Sequence, residues 1–440
     1  MESIKKVLIL STSHPYRTSG IVAHDIFKGF KQNGYQTKLV VENFDKYEDG
    51  IVSVHYYYEI LLKKIKNRIR KLYFKIFNIK YPIDTLRDYH FDGFIERKRK
   101  YATKRILNKV GFKPDVIVII FSQNFISFKN LKELQAATNA PIIWQFADMF
   151  PFTGGCHYAW DCNGYKNLCE NCPGILENFD KNRTHIELLE KIEYAKDLNI
   201  IPVIGSDWLI DRAKLSTLFK NAEIKKIYLS LDTNFFKPYD DIVRQKIREK
   251  YNINRDDHVI LIMATYLSHK RKGIDLILEA FSSINEEFIK NKNCHLVVVG
   301  AEFDSVKKMI PSYLPHTHID SIDRDLLPEI YNMSDLFVSA SLQEVGPYTL
   351  TEALLCSVPV VSLDHGYANE FVINNETGIL VKDDLPSSIA KGITEMIEVE
   401  NQDLIKIKGN CRSRTAKIVS KNKQIEEYIK LINNLNYEVR

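Results

Sequence analysis

Ten short runs of β-branched and other apolar residues recur along the chain, separated by segments with a helical pattern. Unbroken apolar runs, in place of strict alternation, are typical of strands buried on both faces of a parallel sheet. The spacing also predicts helices near 21–33 and 273–285. The predicted strands are 7–10, 37–41, 114–120, 140–146, 200–206, 224–230, 259–265, 295–300, 335–341 and 359–363. The chain is therefore expected to be an α/β protein.

The strand–helix pattern restarts after the stretch "TNFFKPYDD", in which Pro238 is a natural stop. A length of 440 residues also fits two or three domains of roughly 150 residues. We therefore predict two doubly wound, Rossmann-like domains that face a cleft. The first covers 1–237 and the second 238–415, while a helix in 416–440 is expected to pack back towards the first domain.

The start of the chain and the net charge indicate the cellular compartment and the kind of partner to expect. The start, "MESIKKVLILSTSHP", has an apolar stretch too short for a secretion signal. Apolar runs of about 18 residues, which a membrane-spanning helix needs, do not occur. The net charge of +5 does not indicate nucleic-acid binding. A cytoplasmic protein without a nucleic-acid partner is expected.

A strongly basic segment, "LLKKIKNRIRKLYFKIFNIK", occupies residues 61–80 and contains no acidic residue. Its apolar residues recur every three or four positions, which predicts an amphipathic helix over about 58–82. Such a helix can lie on an anionic membrane, which would place the protein peripherally at the inner face of the cytoplasmic membrane. The alternative is a helix that packs its apolar stripe on the domain and leaves a solvated basic face. The stripe is Leu61, Ile65, Ile69, Leu72, Ile76 and Ile79.

A cysteine-rich loop, residues 153–173, contains four of the seven cysteines in the chain: Cys156, Cys162, Cys169 and Cys172. Cytoplasmic thiols rarely form neighbouring disulfides, and four thiolates suit tetrahedral Zn2+. A structural zinc site is therefore predicted. An iron–sulfur cluster, His157 in place of one cysteine, and cysteines that pack or form disulfides remain open alternatives.

The segment "DLFVSASLQEVGPYTLTEALLCSVPVVSL", residues 335–363, predicts a strand, a loop and a helix that begins near Pro347 or Tyr348. Ligands of doubly wound sheets bind outside the carboxyl ends of the strands, and a helix N-terminus there suits a diphosphate. Glu344 precedes the helix and Glu352 lies one turn inside it. The Glu344 side chain is expected to face the open cleft.

The same residues resemble a known family. "EVGPYTLTE", residues 344–352, looks like the Glu-x7-Glu motif of family-4 retaining glycosyltransferases, which have the two-domain GT-B fold. "KRKGIDLILEAF", residues 270–281, resembles the segment of that family whose Lys contacts the donor diphosphate. "WQFADMFPFTGGCHYAWDC", residues 144–162, is similar to a subgroup associated with bacterial exopolysaccharide, capsule and O-antigen assembly.

The resemblance implies a role for each matching residue. Glu344 and Asp148 would lie beside the transferred sugar and the acceptor hydroxyl, and Glu352 would hold the nucleotide ribose. The other donor-binding residues would be Ser19, Gly20, Arg271, Lys272, Gly346, Pro347, Tyr348 and Thr349. Family members retain the anomeric configuration, and no catalytic metal is required where Lys, Arg and a helix N-terminus supply positive charge.

The resemblance thus implies an enzyme that moves a sugar from a UDP- or GDP-linked donor to a glycan or lipid-linked oligosaccharide in surface polysaccharide biosynthesis. A nucleotide-sugar epimerase of the same architecture is one alternative. The other is a catalytically degenerate, transferase-like binding subunit, because Ala147 stands where the subgroup usually has His.

Overall fold

A computed structural model describes residues 5–17, 20–76, 85–91, 96, 100–346 and 348–438. The chain divides into two compact units. The first contains the chain up to Gly205, residues 209–229 and the segment from Gln424 onwards. The second contains residues 206–208 and 230–423. The sequence had placed these divisions at 238 and 416.

The first domain is built on a seven-stranded parallel sheet with the order β3-β2-β1-β4-β5-β6-β7. Its strands are β1 (Lys6–Ser11), β2 (Gln36–Val41), β3 (Ile51–Ser53), β4 (Val116–Ile120), β5 (Ile142–Phe146), β6 (Ile200–Ile204) and β7 (Lys225–Lys226). The helices that precede β7 in the sequence are α1 (Gly20–Gln32), α2 (Tyr57–Ile76), α3 (Thr103–Val110), α4 (Phe128–Thr138), α5 (Arg183–Ala195) and α6 (Asp207–Leu215).

The second domain is built on a six-stranded parallel sheet with the order β10-β9-β8-β11-β12-β13. Its strands are β8 (His258–Tyr266), β9 (Cys294–Ala301), β10 (His316–Ile319), β11 (Leu336–Ser339), β12 (Val360–Leu363) and β13 (Gly378–Val381). Its helices are α7 (Asp241–Lys250), α8 (Ile274–Ser283), α9 (Glu286–Asn291), α10 (Leu327–Met333), α11 (Tyr348–Leu355), α12 (Ala368–Phe371), α13 (Pro386–Ile397) and α14 (Asn401–Val419).

Burial along the central strands confirms the predicted fold class. Every residue of β4 and β5 is buried, because helices cover both faces of the sheet. Three strands were not predicted, namely β3, β10 and β13. Each of them is short and lies at an edge of its sheet, where it pairs on one side only and carries no long apolar run.

The last helix, α15 (Lys421–Glu438), returns the chain to the first domain. Gly29 in α1 makes room for it, because a Cβ at that position would lie 2.8 Å from Ile425 Cγ1. Further along α15, the buried Tyr428 hydroxyl donates to Gln145 Oε1 in β5 at 2.8 Å. The aliphatic contact and the buried hydrogen bond together fix α15 on this domain.

A buried ion cluster fixes α7 to the second sheet. Asp335 accepts hydrogen bonds from Arg244, from Arg248 Nη2 at 2.6 Å and from the Val259 amide at 2.8 Å. Burial would raise the pKa of Asp335, but the two guanidinium groups hold that pKa well below its usual range. The carboxylate is therefore charged in the folded protein and joins α7, β8 and the start of β11.

Asp335→Asn is expected to lower the free energy of unfolding of the second domain by about 3–5 kcal/mol, since it leaves two partly buried guanidinium groups without their carboxylate. Chemical denaturation measures the change. Asp304→Asn is the matched control, because the Asp304 side chain is 88% exposed and its ion pair with Lys307 should contribute little. Equal stability of the two variants would contradict this prediction.

Candidate active site

The loop after β11 carries the predicted Glu344 and lies against the short turn at residues 270–273. The Leu342 amide donates to the Arg271 carbonyl at 2.9 Å. In return, Arg271 Nη1 donates to the Gln343 carbonyl at 3.0 Å and to Glu344 Oε2 at 2.7 Å. Lys272 Nζ donates to the same carboxylate oxygen. The structure thus brings together three of the predicted site residues, Arg271, Lys272 and Glu344.

This carboxylate lies between two cations and is buried, with only 7% of Glu344 exposed. The expectation that its side chain faces open space is therefore wrong. Burial would raise the pKa of Glu344, but Lys272 and Arg271 outweigh that effect and hold the pKa at about 2. The three side chains together carry one net positive charge, which suits an anionic ligand.

Two glycines permit the close packing of these loops. Gly273 has φ +58°, and a Cβ there would lie 2.0 Å from the Ala340 carbonyl oxygen. A Cβ at Gly346 would lie 2.3 Å from Tyr367 Cε2. Tyr348 and Thr349 form the first turn of α11, as predicted, whereas Pro347 lies outside the described residues. The turn at 270–273 thus packs against the end of β11, and the loop that carries Glu344 leads into α11.

Glu352 lies in α11 and is buried at 6% exposure. The Tyr331 hydroxyl, from α10, donates to Glu352 Oε2 at 2.7 Å. Burial raises the pKa of this carboxyl to about 7, although the hydrogen bond from Tyr331 opposes the shift. Sequence reasoning did not identify Tyr331, because nothing in the spacing of α10 and α11 shows that the two side chains meet.

The raised pKa of Glu352 makes stability depend on pH. Its folded-state pKa of about 7 exceeds an unfolded value near 4.3, so the bound proton stabilises the folded state fully below about pH 4.3. That contribution is lost as the pH rises through about 7. Glu352→Gln should therefore gain stability relative to the wild type over this range in calorimetric scans. Parallel pH profiles of the two proteins would show that Glu352 does not titrate in this way.

In the first domain, the loop after β1 leads into α1 at Gly20. A Cβ at Gly20 would lie 2.0 Å from the His14 carbonyl oxygen, so the turn requires glycine. Ser19 lies outside the described residues. A polar cluster missed by sequence reasoning lies nearby: His24 Nε2 is 3.0 Å from Glu48 Oε1, and the Tyr16 hydroxyl donates to the same carboxylate.

Asp148 follows β5 and is held by three groups. Oδ1 accepts the Phe150 amide at 2.8 Å, and Oδ2 accepts Gln123 Nε2 at 3.0 Å. His157 Nδ1 is 2.8 Å from Oδ2. The amide contact is structural, because it fixes the turn into the short helix Phe150–Phe152. The imidazole contact places a histidine beside Asp148, whereas the sequence had considered His157 only as a metal ligand.

The four cysteines of the cysteine-rich loop line one small cavity, and all carry free thiols. Three are buried, namely Cys156, Cys169 and Cys172, and Cys162 is partly exposed. Within the part of the chain that the structure describes, no three His, Cys, Asp or Glu side chains are placed closely enough to hold a metal ion.

The basic segment forms the helix α2 (Tyr57–Ile76), while residues 77–82 of the predicted helix lie outside the described residues. Its first turn is anchored, because Ile60 is buried and Arg105 pairs with Glu59. Beyond that turn the apolar stripe is exposed by 42–65% at Leu61, Ile65, Ile69, Leu72 and Ile76. In the structure, these five side chains are therefore not packed on the domain. Among the described residues, no helix combines the length and the apolar character needed to cross a membrane.

The second domain has a clear family signature. Residues 243–413 match the family model of "Glycosyl transferases group 1". The second domain is therefore similar to the group 1 glycosyltransferases over most of its length. The match contains the complete Arg271–Lys272–Glu344 cluster, together with Glu352 and α11.

Two curated relatives extend this similarity. The uncharacterized glycosyltransferase MJ1069 of Methanocaldococcus jannaschii is 26% identical over 262 residues, which are 57% of this chain and 64% of that protein. A GDP-mannose-dependent phosphatidylinositol monomannoside mannosyltransferase of Mycolicibacterium smegmatis is 25% identical over 181 residues, which are 39% of this chain and 46% of that protein. The chain thus spans less than two thirds of the length of either relative.

Solved structures extend the similarity in fold to both domains. HepE from Anabaena, crystallised in complex with UDP and glucose, is 16% identical and has a TM-score of 0.58. The alignment covers 97% of this chain and 99% of that protein. The two parallel-sheet domains therefore have the GT-B fold of glycosyltransferases, as the sequence resemblance implied.

Proposed function

We propose that this protein is a retaining glycosyltransferase that moves a sugar from a UDP- or GDP-linked donor to a hydroxyl of a lipid-linked glycan. The acceptor would be presented at an anionic membrane surface, in the assembly of a surface polysaccharide. The observation that carries the proposal is the buried Arg271–Lys272–Glu344 cluster beside the start of α11, in a domain similar to the group 1 glycosyltransferases.

The cluster has the chemistry that a departing diphosphate needs. Its net charge is positive, and the N-terminus of α11 adds N–H donors and the positive end of a helix dipole. When the bond from sugar to diphosphate breaks, negative charge grows on the leaving group, and fixed cations stabilise it best. Arg271, Lys272 and α11 would supply this charge without a catalytic metal. The UDP and glucose in the HepE structure support a nucleotide-sugar donor.

Two carboxylates would have separate roles. Glu344 would hold the sugar hydroxyls while fixing Arg271 and Lys272 in place, and Glu352, paired with Tyr331, would bind the ribose. Asp148 and His157 would orient the acceptor hydroxyl, since their contact holds a carboxylate and an imidazole together. In a front-face retaining reaction, the leaving diphosphate takes the proton of that hydroxyl.

The acceptor side of the proposal depends on α2. The apolar side chains of α2 remain 42–65% exposed, and the helix also carries many basic residues. In an anionic membrane the apolar side chains can enter the lipid interface, while the basic side chains are attracted to the anionic headgroups. The mycobacterial relative, named for a phosphatidylinositol mannoside, supports an acceptor held in a lipid surface.

Ligand-induced stabilisation tests the donor proposal. UDP or GDP at 100 times its dissociation constant should stabilise the protein by about 2.7 kcal/mol, seen as a higher melting temperature. Lys272→Met should reduce the shift strongly, whereas Lys308→Met, which changes an exposed lysine of the same domain, should preserve it. The absence of a shift with every nucleoside diphosphate and nucleotide sugar would refute the proposed donor class.

A further inference from the structure

The cysteine-rich loop encloses a small cavity. Cys156, Cys162, Cys169 and Cys172 line the same small cavity with Tyr89 and Tyr165. We propose that these four cysteines bind one structural Zn2+, independently of the proposed transferase activity. Four protein sulfurs would leave no open coordination position, so the site would be structural and not catalytic.

The backbone of the loop has the turns that such a site requires. Cys169 and Asn171 have φ +53° and +50°, and Gly155 has φ +124°. Positive φ is uncommon at residues other than glycine, and it persists where surrounding interactions fix it. These turns bring Cys169 and Cys172, which are three positions apart, to the same cavity.

Backbone N–H groups point at the sulfurs. The Gly154 amide donates to Cys169 Sγ at 3.3 Å, and the Gly164 amide donates to Cys162 Sγ at 3.3 Å. Hydrogen bonds to a ligand atom orient it and are part of the surroundings of protein metal sites.

As they stand, the sulfurs are not close enough to hold a metal ion, so binding would have to bring them together. The Cβ position built at Gly164 is 3.3 Å from Cys162 Sγ and 3.6 Å from Cys169 Sγ, so these two sulfurs are at most 6.9 Å apart. In a tetrahedral site with Zn–S of about 2.3 Å, neighbouring sulfurs are about 3.8 Å apart. Binding would therefore bring these two sulfurs closer together.

The charge of the filled site would be partly balanced by a buried lysine. Four thiolates and Zn2+ carry a net charge of −2. Lys191, with 1% of its surface exposed, donates to the Phe150 carbonyl at 2.6 Å and to the Thr153 carbonyl at 2.9 Å. Its ammonium group interacts most strongly with Glu96 and Glu187, and after them with Cys169 and Cys156.

Elemental analysis of the full-length protein, purified under reducing conditions without chelator, tests the proposal. About one zinc per chain is expected. Replacing the zinc with Co2+ should produce the visible absorption bands of tetrahedral cobalt with thiolate ligands, which a loosely bound surface ion would not give. Wild-type protein without metal, protein with an iron–sulfur absorption band, or mapped disulfides among the four cysteines would each overturn the proposal.

Variants locate the ion. Cys169→Ser combined with Cys172→Ser should lose the zinc, while Cys294→Ser, a buried cysteine in β9 of the other domain, should retain it. If the double variant does not fold, Cys162→Ser at the partly exposed position should still weaken zinc retention against a chelator. Zinc retained equally by all variants would show that it binds elsewhere. UDP binding to the second domain is measured separately, so failure of the zinc proposal leaves the donor proposal intact.

Discussion

Lys272→Met is expected to lower turnover about 100- to 1000-fold, the range found when one fixed group that stabilises transition-state charge is removed. Lys272 pairs with Glu344 beside α11, where the proposed leaving diphosphate would lie. Its charge would be needed most when the sugar–diphosphate bond breaks, so the loss should fall on kcat as well as on donor binding. Steady-state kinetics with a saturating nucleotide sugar measure the effect.

Two further variants test whether the loss of turnover is specific to the charge at Lys272. Lys308→Met should leave turnover unchanged, since Lys308 is an exposed lysine of the same domain. Glu344→Gln should also lower turnover, because a neutral amide holds two cations less firmly than a carboxylate does. If Lys272→Met and Lys308→Met had the same kcat, the charge at Lys272 would have no part in the reaction.

Replacing Lys63, Lys64, Arg68 and Lys71 by Gln is expected to weaken binding to anionic vesicles about 1000-fold. Each basic residue near such a surface contributes about 1 kcal/mol, and every 1.4 kcal/mol is a factor of ten. Added salt should weaken wild-type binding in the same direction. Co-sedimentation with phosphatidylcholine vesicles that contain phosphatidylserine measures the binding.

The apolar stripe of α2 provides an independent test. Ile65→Ser combined with Ile69→Ser should weaken binding with little effect on stability, because these side chains are 53% and 64% exposed. Ile405→Ser is the matched control, since Ile405 is 72% exposed in the second domain. If the wild-type protein did not bind anionic vesicles at low salt, the membrane proposal would be wrong.

The sequence predicted the centre of each sheet better than the edges. Strands such as β4 and β5 are buried on both faces, so their composition alone distinguishes them. The edge strands β3 and β10 are short and partly exposed, and they depend on one neighbour for pairing. Their sequences therefore carry little of the information that makes them strands.

The sequence indicated candidate residues for the site but not how their side chains are arranged. The motif around Glu344 and the position of Lys272 were visible in the sequence, whereas their ion pair and the burial of Glu344 depend on how the turn at 270–273 packs against the loop after β11. Tyr331 and His157 were missed as partners of Glu352 and Asp148 for the same reason. Contacts between distant segments arise from tertiary packing, which spacing does not encode.

The most direct measurement incubates purified protein with UDP- and GDP-linked sugars and a lipid-linked glycan in anionic vesicles, and it follows nucleoside diphosphate release together with the anomeric configuration of the product. The expected result is release that depends on Lys272 and a product that keeps the configuration of the donor. Release of an epimerised free sugar without transfer, inversion at the anomeric carbon, or no release from any donor would contradict it.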